Sequence, residues 1–265
     1  MTALPRARKR FGQHFLEPAW VARLLGSLSP SPDDVFLEIG PGRGALTAPL
    51  APRVRRVIAV EIDRDLVGFL QERLPPTVTV VQADFLEVDI ERLLAGEKPV
   101  RVVGNLPYNV SSPILFKLLH AAGHGEVLAD ATLMLQKEVA DRLAAAPGTA
   151  DYGSLAIQVA LLADVERVLT LPPGAFRPPP KVTSAVVRMR FRPPRVEVGS
   201  IDAFERIVRG VFLQRRKTLA NALKPVADSF GRSAAELLAV ADLDGRKRPG
   251  ELRLEEVARL SRAVL

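Results

Sequence analysis

At the end of the apolar run "VRVVGN" (100–105) stand Asn105, Leu106, Pro107 and Tyr108, and "NLPYN" uses two of the chain's 3 Asn and one of its 2 Tyr. Each residue type has a chemical use. An Asn side-chain oxygen and the carbonyl of Leu106 can together accept both hydrogens of an NH2 group. Pro107 restricts its own φ and the conformation of the residue before it, which holds that carbonyl in place. Tyr108 offers a flat face on which a planar heterocycle can stack. Asn and Pro are also turn formers, so the reading depends on what else converges on this point.

Three features do. "EIGPGRGALT" (38–47) puts Gly40, Gly42 and Gly44 where a strand-like run meets a helix-like one. Glycines there allow close backbone approach, and the helix start beyond offers N–H groups. The spacing is not that of the dinucleotide fingerprint, and no Lys-Ser/Thr follows as in a phosphate loop. Glu61 then closes "VIAVE", and Asp84 closes "VVQAD". In an open α/β sheet, ligands bind beyond the carboxyl ends of the strands. A carboxylate at the Glu61 position can take both ribose hydroxyls of a nucleoside, and one at Asp84 can accept from an adenine amino group. Asp63 and Asp65 are read as ordinary solvated loop acids.

The elements that must carry these residues are legible as alternation. "VFLEIG" (35–40), "RVIAVEID" (56–63), "VTVVQAD" (78–84), "VRVVGN" (100–105) and "ATLMLQ" (131–136) are short β-branched or apolar runs, and stretches of helical spacing lie between them. This pattern predicts an α/β fold with a parallel sheet covered by helices on both faces. After a further helix, "SLAIQVALLA", come strand-like runs at 165–171 and 184–191. The proline-rich loop between them, "PPGAFRPPPKVT", is expected to be stiff, exposed and irregular. From about 195 onward only helical spacing remains. The expected domains are a Rossmann-like catalytic domain over 1–194 and a small all-helical RNA-binding domain over 195–265.

Bulk properties narrow the partner. The chain has 265 residues, 48% hydrophobic and 25% charged, with a net charge of +7. Residues 1–176 hold 18 Lys+Arg against 20 Asp+Glu, and residues 177–265 hold 19 against 10. A basic arm, "RARKR" (6–10), and a basic tail thus flank a mildly acidic middle, which favours a polyanion such as nucleic acid. No apolar run reaches membrane-span length, and the first residues lack a signal-peptide apolar stretch. With 0 Cys there is no disulfide or thiolate metal site, which fits the cytoplasm. His120 and His124 are spaced like metal ligands but lack an acid in the motif, so no metal is expected. Ser111, Ser112 and Pro113 read as a helix start. Lys181 and "LQRRKTL" (213–219) are candidate phosphate contacts.

The order of glycine loop, Glu61, Asp84 and "NLPY" is that of S-adenosylmethionine-dependent methyltransferases, and "NLPY" resembles the motif by which amino-methyltransferases hold an exocyclic amine. Adenine N6 is a poor nucleophile because its lone pair is delocalised into the ring. Two acceptors on its NH2 draw the nitrogen toward tetrahedral geometry and free that pair. Four stretches, "RKRFGQHFL" (8–16), "EIGPGRGALT", "NLPYNVSSPIL" (105–115) and "FRPPPKVTSAVVR" (176–188), resemble the small-subunit ribosomal RNA adenine N6-dimethyltransferase family, the kasugamycin-resistance methyltransferases. The resemblance spans residues 8 to about 260. It implies S-adenosylmethionine as cofactor, held by His14, Leu16, Gly40, Gly42, Glu61, Asp84 and Asn105. It implies a base clamp of Asn105, Leu106, Pro107 and Tyr108, with Phe176 stacking on the opposite face of the adenine. His14 stands where the family often has Asn. The implied substrate is 16S rRNA, or the small ribosomal subunit precursor, dimethylated at two adjacent adenosines of the 3′-terminal hairpin by a monomeric enzyme. Related large-subunit rRNA methyltransferases share the catalytic motifs, and a ribosome-assembly or transcription factor retaining the fold is a third reading.

Overall fold

A strand buried on both faces needs a near-continuous apolar run, and "VFLEI" supplies one. All of Val35–Ile39 is buried in the computed structural model of the chain, which describes residues 14–97, 99–125 and 127–265. The basic arm at 6–10 lies outside the described residues.

The described elements begin with β1 (Phe15–Leu16), α1 (Pro18–Leu28), β2 (Val35–Ile39), α2 (Thr47–Leu50), β3 (Arg56–Glu61), α3 (Arg64–Gln71) and β4 (Val78–Gln82). They continue with α4 (Ile90–Leu93), β5 (Val100–Asn105), α5 (Ser111–His124), β6 (Leu128–Gln136), α6 (Lys137–Leu143) and α7 (Ser154–Leu162). Then come β7 (Ala163–Leu171), β8 (Phe176–Arg177) and β9 (Ser184–Phe191), and the helices α8 (Ile201–Phe212), α9 (Leu219–Asp228), α10 (Ala234–Val240) and α11 (Leu254–Ala263).

Local chemistry explains several boundaries. Pro18 starts α1 at a position where its missing N–H costs nothing, and the apolar spacing of Val21, Leu24, Leu25 and Leu28 gives that helix one buried face. Asp63 caps α3 by accepting from Asp65 N, so this acid is a buried cap and not the solvated loop residue expected. Ser233 and Glu236 form a reciprocal capping box on α10, which satisfies two otherwise orphaned N–H groups.

A seven-stranded sheet has the order β4-β3-β2-β5-β6-β9-β7. The pairs β3–β4, β2–β3, β2–β5 and β5–β6 are parallel, and β9 runs antiparallel to β6. In the central register Ile39 stands opposite Val60 on one side and Gly104 on the other. A Cβ on Gly104 would lie 2.8 Å from the Ile39 carbonyl oxygen, so this crossing of β5 and β2 admits only glycine.

The chain divides into two compact units, Met1–Ala140 with Val165–Phe191, and Asp141–Asp164 with Arg192–Leu265. The expected boundary at 194/195 lies close to the observed 191/192, but residues 141–164 group with the C-terminal helices. The reason is burial. Helix α7 is apolar nearly all round and needs cover on every side. The buried Tyr152 hydroxyl donates to the Leu252 carbonyl at 2.6 Å, and Gly148 N donates to the Gly250 carbonyl at 2.7 Å.

The proline-rich loop departs from expectation. Pro173–Ala175 form a short 3-10 turn, and β8 pairs antiparallel with β1, Leu16 opposite Phe176 and Phe15 opposite Arg177. Phe176 is 0% exposed and belongs to an apolar cluster with Leu16, Leu24, Leu28, Val103 and Val186. The expectation that Phe176 stands exposed is therefore not met. The unbroken prolines begin only at Pro178, so the two residues before them keep N–H groups that can pair with a strand, and the ring gains more from burial than from solvent. Phe176→Ala is expected to destabilise the fold by about 3–5 kcal/mol, measured by denaturant unfolding. A loss below about 1 kcal/mol would take the ring out of the core.

Candidate functional site

The aligned parallel strands all end at one edge of the sheet, and the residues just past Ile39, Val60 and Gly104 are Gly40, Glu61 and Asn105. A cavity of about 310 Å³ opens there. Its walls include the strand-end set Gly40, Gly42, Glu61 and Asp84, the loop residues Asn105, Leu106, Pro107 and Tyr108, and His14 and Leu16 from the N-terminal segment. Phe176 does not line it.

Gly42 has a φ of +59° and its N–H donates to Glu61 Oε2 at 3.0 Å. A Cβ there would meet the Phe15 ring at 3.0 Å, so both conformation and space require glycine. Asp63 N donates to the other carboxylate oxygen, Oε1, at 2.9 Å. Two N–H groups occupy part of the acceptor capacity of Glu61, and a carboxylate has about four lone-pair sites. Ile62 N also acts on the carboxylate, and acceptor capacity remains for a hydroxyl donor. Burial raises the Glu61 pKa, against the N–H groups of Asp63 and Gly42 that lower it. Asp84 Oδ1 accepts from Leu86 N at 2.9 Å, which fixes the carboxylate in a turn of its own making.

The Asn105 amide is oriented by the chain itself. Its Nδ2 donates to the His14 carbonyl at 2.6 Å. A carbonyl can only accept, so the NH2 must face it and Oδ1 is left as the acceptor. Among the described residues, the loop's internal bonds use the carbonyls of Pro107 (from Val110 N) and Tyr108 (from Ser111 Oγ) and not that of Leu106. Leu106 N is itself tied to the Met134 carbonyl at 3.2 Å. The expected pair of acceptors thus coexists in one loop. The Tyr108 hydroxyl shares a 2.7 Å hydrogen bond with Ser184 Oγ, and burial raises its pKa, so the phenol stays neutral.

Ile62 and Glu38 are among the wall residues that the sequence does not single out. Ile62, 45% exposed, offers an apolar patch beside Glu61. Glu38 is 3% exposed, and its Oε2 has no hydrogen-bond partner. Burial pushes its pKa up to about 7, with Thr47 opposing and the Glu61 charge assisting. The signal was present: one acid inside an otherwise apolar buried strand is costly unless something uses it. Lys181 is exposed, and the His120 and His124 rings lie 4.3 Å apart, outside this cavity.

These walls suit a cationic nucleoside. Among the described lining residues there is no Lys or Arg to meet a phosphate. Glu38, Glu61, Asp84 and the carbonyls offer acceptors for hydroxyl and ammonium donors. Such an edge, on this sheet order, defines a Rossmann-like methyltransferase whose methyl donor is S-adenosylmethionine.

The sequence profile described as "Ribosomal RNA adenine dimethylase" matches residues 5–257, and the chain belongs to that family. It is 46% identical to the Ribosomal RNA small subunit methyltransferase A of Geobacter metallireducens, covering 98% of this chain and 96% of the relative. Among solved structures, a dimethyladenosine transferase from Plasmodium falciparum is similar with a TM-score of 0.73 and 25% identity, covering 93% of this chain and 96% of that one. The 23S rRNA methyltransferase ErmE is similar with a TM-score of 0.63 and 30% identity, covering 94% of this chain and 99% of that one.

Glu38 makes stability depend on pH in a predictable direction. Between the ordinary 4.5 and about 7, the folded protein holds a proton that the unfolded chain has released. Stability contributed by that proton is complete below 4.5 and declines as pH rises through about 7. The full decline is about 3 kcal/mol. Glu38→Gln stays neutral, so its melting temperature in the cofactor-free protein is expected to rise relative to wild type between pH 5 and pH 8. Parallel curves would show that Glu38 is ionised in the fold throughout.

Proposed function

We propose that the chain dimethylates two adjacent adenosines at N6 in the 3′-terminal hairpin of 16S rRNA, within the small ribosomal subunit precursor. The observation that carries the reading is the Asn105 amide, whose NH2 is taken by the His14 carbonyl and whose Oδ1 is thereby committed to accepting beside Leu106 and Tyr108. That arrangement holds an NH2 group next to a flat face at the mouth of a nucleoside cavity. Support for the small-subunit target comes from the name of the 46% identical relative, which exceeds the 30% identity to the 23S enzyme.

In this reading Glu61 takes the ribose hydroxyls of S-adenosylmethionine, Asp84 its adenine amine, and Gly40, Gly42, His14 and Leu16 enclose it. The bound cofactor supplies an electrophilic sulfonium methyl. The protein's part is alignment: Asn105 Oδ1 and the Leu106 carbonyl hold N6, and Tyr108 stacks the base. N6 becomes acidic only as its bond to carbon forms, so no strong base is required. Acceptors committed before the reaction stabilise the developing positive charge on the amine without reorganising. The enzyme works as a monomer in the cytoplasm. Among the described residues no helix is long and apolar enough to cross a membrane.

Mapping methylated adenosines on small-subunit and large-subunit rRNA treated with the protein tests the assignment. Methylation confined to the paired adenosines of the 16S hairpin is expected, and large-subunit methylation would redirect it. Asn105→Ala is expected to lower the single-turnover rate on saturating RNA by about 10²-fold or more, and a near-normal rate would dissolve the clamp.

The second unit contributes RNA affinity in this reading. Arg215, Arg216 and Lys217 are exposed between α8 and α9, with Arg215 also donating to the Thr149 carbonyl at 3.0 Å. Changing all three to Ala is expected to weaken rRNA binding and flatten the slope of log affinity against log salt by about 2. An unchanged slope would make the cluster a solvated surface.

A further inference from the structure

Helix α5 begins just past the "NLPY" loop, and one of its faces meets two parts of the first unit. Ile114, near its start, lines the cavity. Lys117 stands three residues on, so both share that face of the helix. The Lys117 ammonium donates to the Leu86 carbonyl at 2.7 Å and lies 5.7 Å from the centre of the Phe85 ring. Leu86 belongs to the turn between β4 and α4, whose Asp84 and Phe85 are cavity walls. Leu86 is thereby held at both ends: its N–H donates to Asp84 Oδ1 at 2.9 Å, and its carbonyl accepts from Lys117. Glu87 N closes the turn on the Asp84 carbonyl at 2.9 Å. Lys117 is half-buried. Burial lowers its pKa, against the Asp84, Asp89 and Glu87 charges that raise it. An apolar side chain could cover this turn without withdrawing a charge from water, so the ammonium points to a role in holding Leu86.

We propose that Lys117 is a positioning residue for the cofactor, and that its hold on Leu86 fixes the turn that presents Asp84 to the adenine amine of S-adenosylmethionine. This rests on the reading of Asp84 as the acceptor for that amine. The bond from Ala83 N to the Glu61 carbonyl, 3.1 Å, ties the end of the strand to β3 just before Asp84. Past that point the carboxylate takes its direction from Leu86 N. Were the Leu86 carbonyl released, its N–H could turn as well, and Asp84 Oδ1 would lose its fixed donor. A carboxylate has about four lone-pair sites, so the Leu86 bond leaves room for the amine. Over the Phe85 ring, the ammonium stands where cation and π-face attract, which steadies the apolar wall beside Asp84. An acceptor whose direction is set beforehand needs no ordering when the ligand arrives.

Calorimetry on the full chain tests this with two probes, S-adenosylhomocysteine and its inosine counterpart, in which an oxygen replaces the adenine amine. The ratio of the two affinities reads the contact with the amine and does not depend on what fraction of a variant is folded. Wild type is expected to prefer the adenine compound by about 10-fold. Lys117→Met keeps the length of the stem and removes the donor, and is expected to abolish most of that preference. Lys117→Arg retains a charged donor and is expected to restore part of it. A wild-type ratio in Lys117→Met would overturn the proposal, because the turn would then hold Asp84 unaided. Equal loss in the Met and Arg variants would also overturn it, assigning the effect to packing. Asp84→Ala separates the two readings. If that variant keeps the wild-type ratio, the assignment of Asp84 fails and takes the role of Lys117 with it. If it abolishes the ratio while Lys117→Met leaves it whole, only the part assigned to Lys117 fails.

Discussion

The site depends on the register of three parallel strands. Because Ile39, Val60 and Gly104 stand side by side, the next residue of each strand emerges at a common edge of the sheet. Those next residues are Gly40, Glu61 and Asn105. A slip of one residue in any strand would turn its side chains to the other face and take its functional group away from the others. The register is in turn protected by Gly104, since any Cβ there would press on the Ile39 carbonyl. The glycine in "VRVVGN" therefore serves packing between strands, and the strand runs through it to Asn105.

Holding acids at that edge has an energetic cost. Glu38 and Glu61 are both buried and both have raised pKa values. Burial makes each costlier to ionise than it would be in water. A ligand that brings positive charge and hydroxyl donors relieves this, so part of the binding energy is the removal of a penalty already present in the fold. Stability surrendered at a functional edge in this way is a general trade in enzymes. Here the strand itself shows it: four apolar residues surround one carboxylate.

Much of this arrangement was legible in the sequence because it is local. The glycine loop, the acids closing two strands and "NLPY" each sit within a few residues of a recognisable strand end, and alternation placed those strands in one sheet. What was not legible depends on contacts distant along the chain. Phe176 was read from its prolines, whereas its fate is set by pairing with Leu16. Residues 141–164 precede two strand-like runs and so fall within the expected 1–194 domain, whereas the burial of Tyr152 against the Leu252 carbonyl ties them to the C-terminal helices. Glu38 opens the glycine motif in the sequence, and nothing local in that motif displays its burial.

The N-terminal segment shows why the long-range contacts matter for chemistry. Three consecutive residues meet three different parts of the first unit. His14 faces Tyr108 and receives the Asn105 amide. Phe15 packs on the Gly42 position, with the Arg43 guanidinium 4.2 Å from its ring centre. Leu16 pairs with Phe176 and is buried with it. Alternation along an extended segment sends successive side chains to opposite sides, so one short strand can press on the cofactor loop and the core at once. The Leu16–Phe176 contact supplies the apolar anchor, and that anchor fixes where the His14 carbonyl can stand. The Asn105 amide takes its orientation from that carbonyl. A buried ring thus determines, through two residues of backbone, which atom of Asn105 is left to accept.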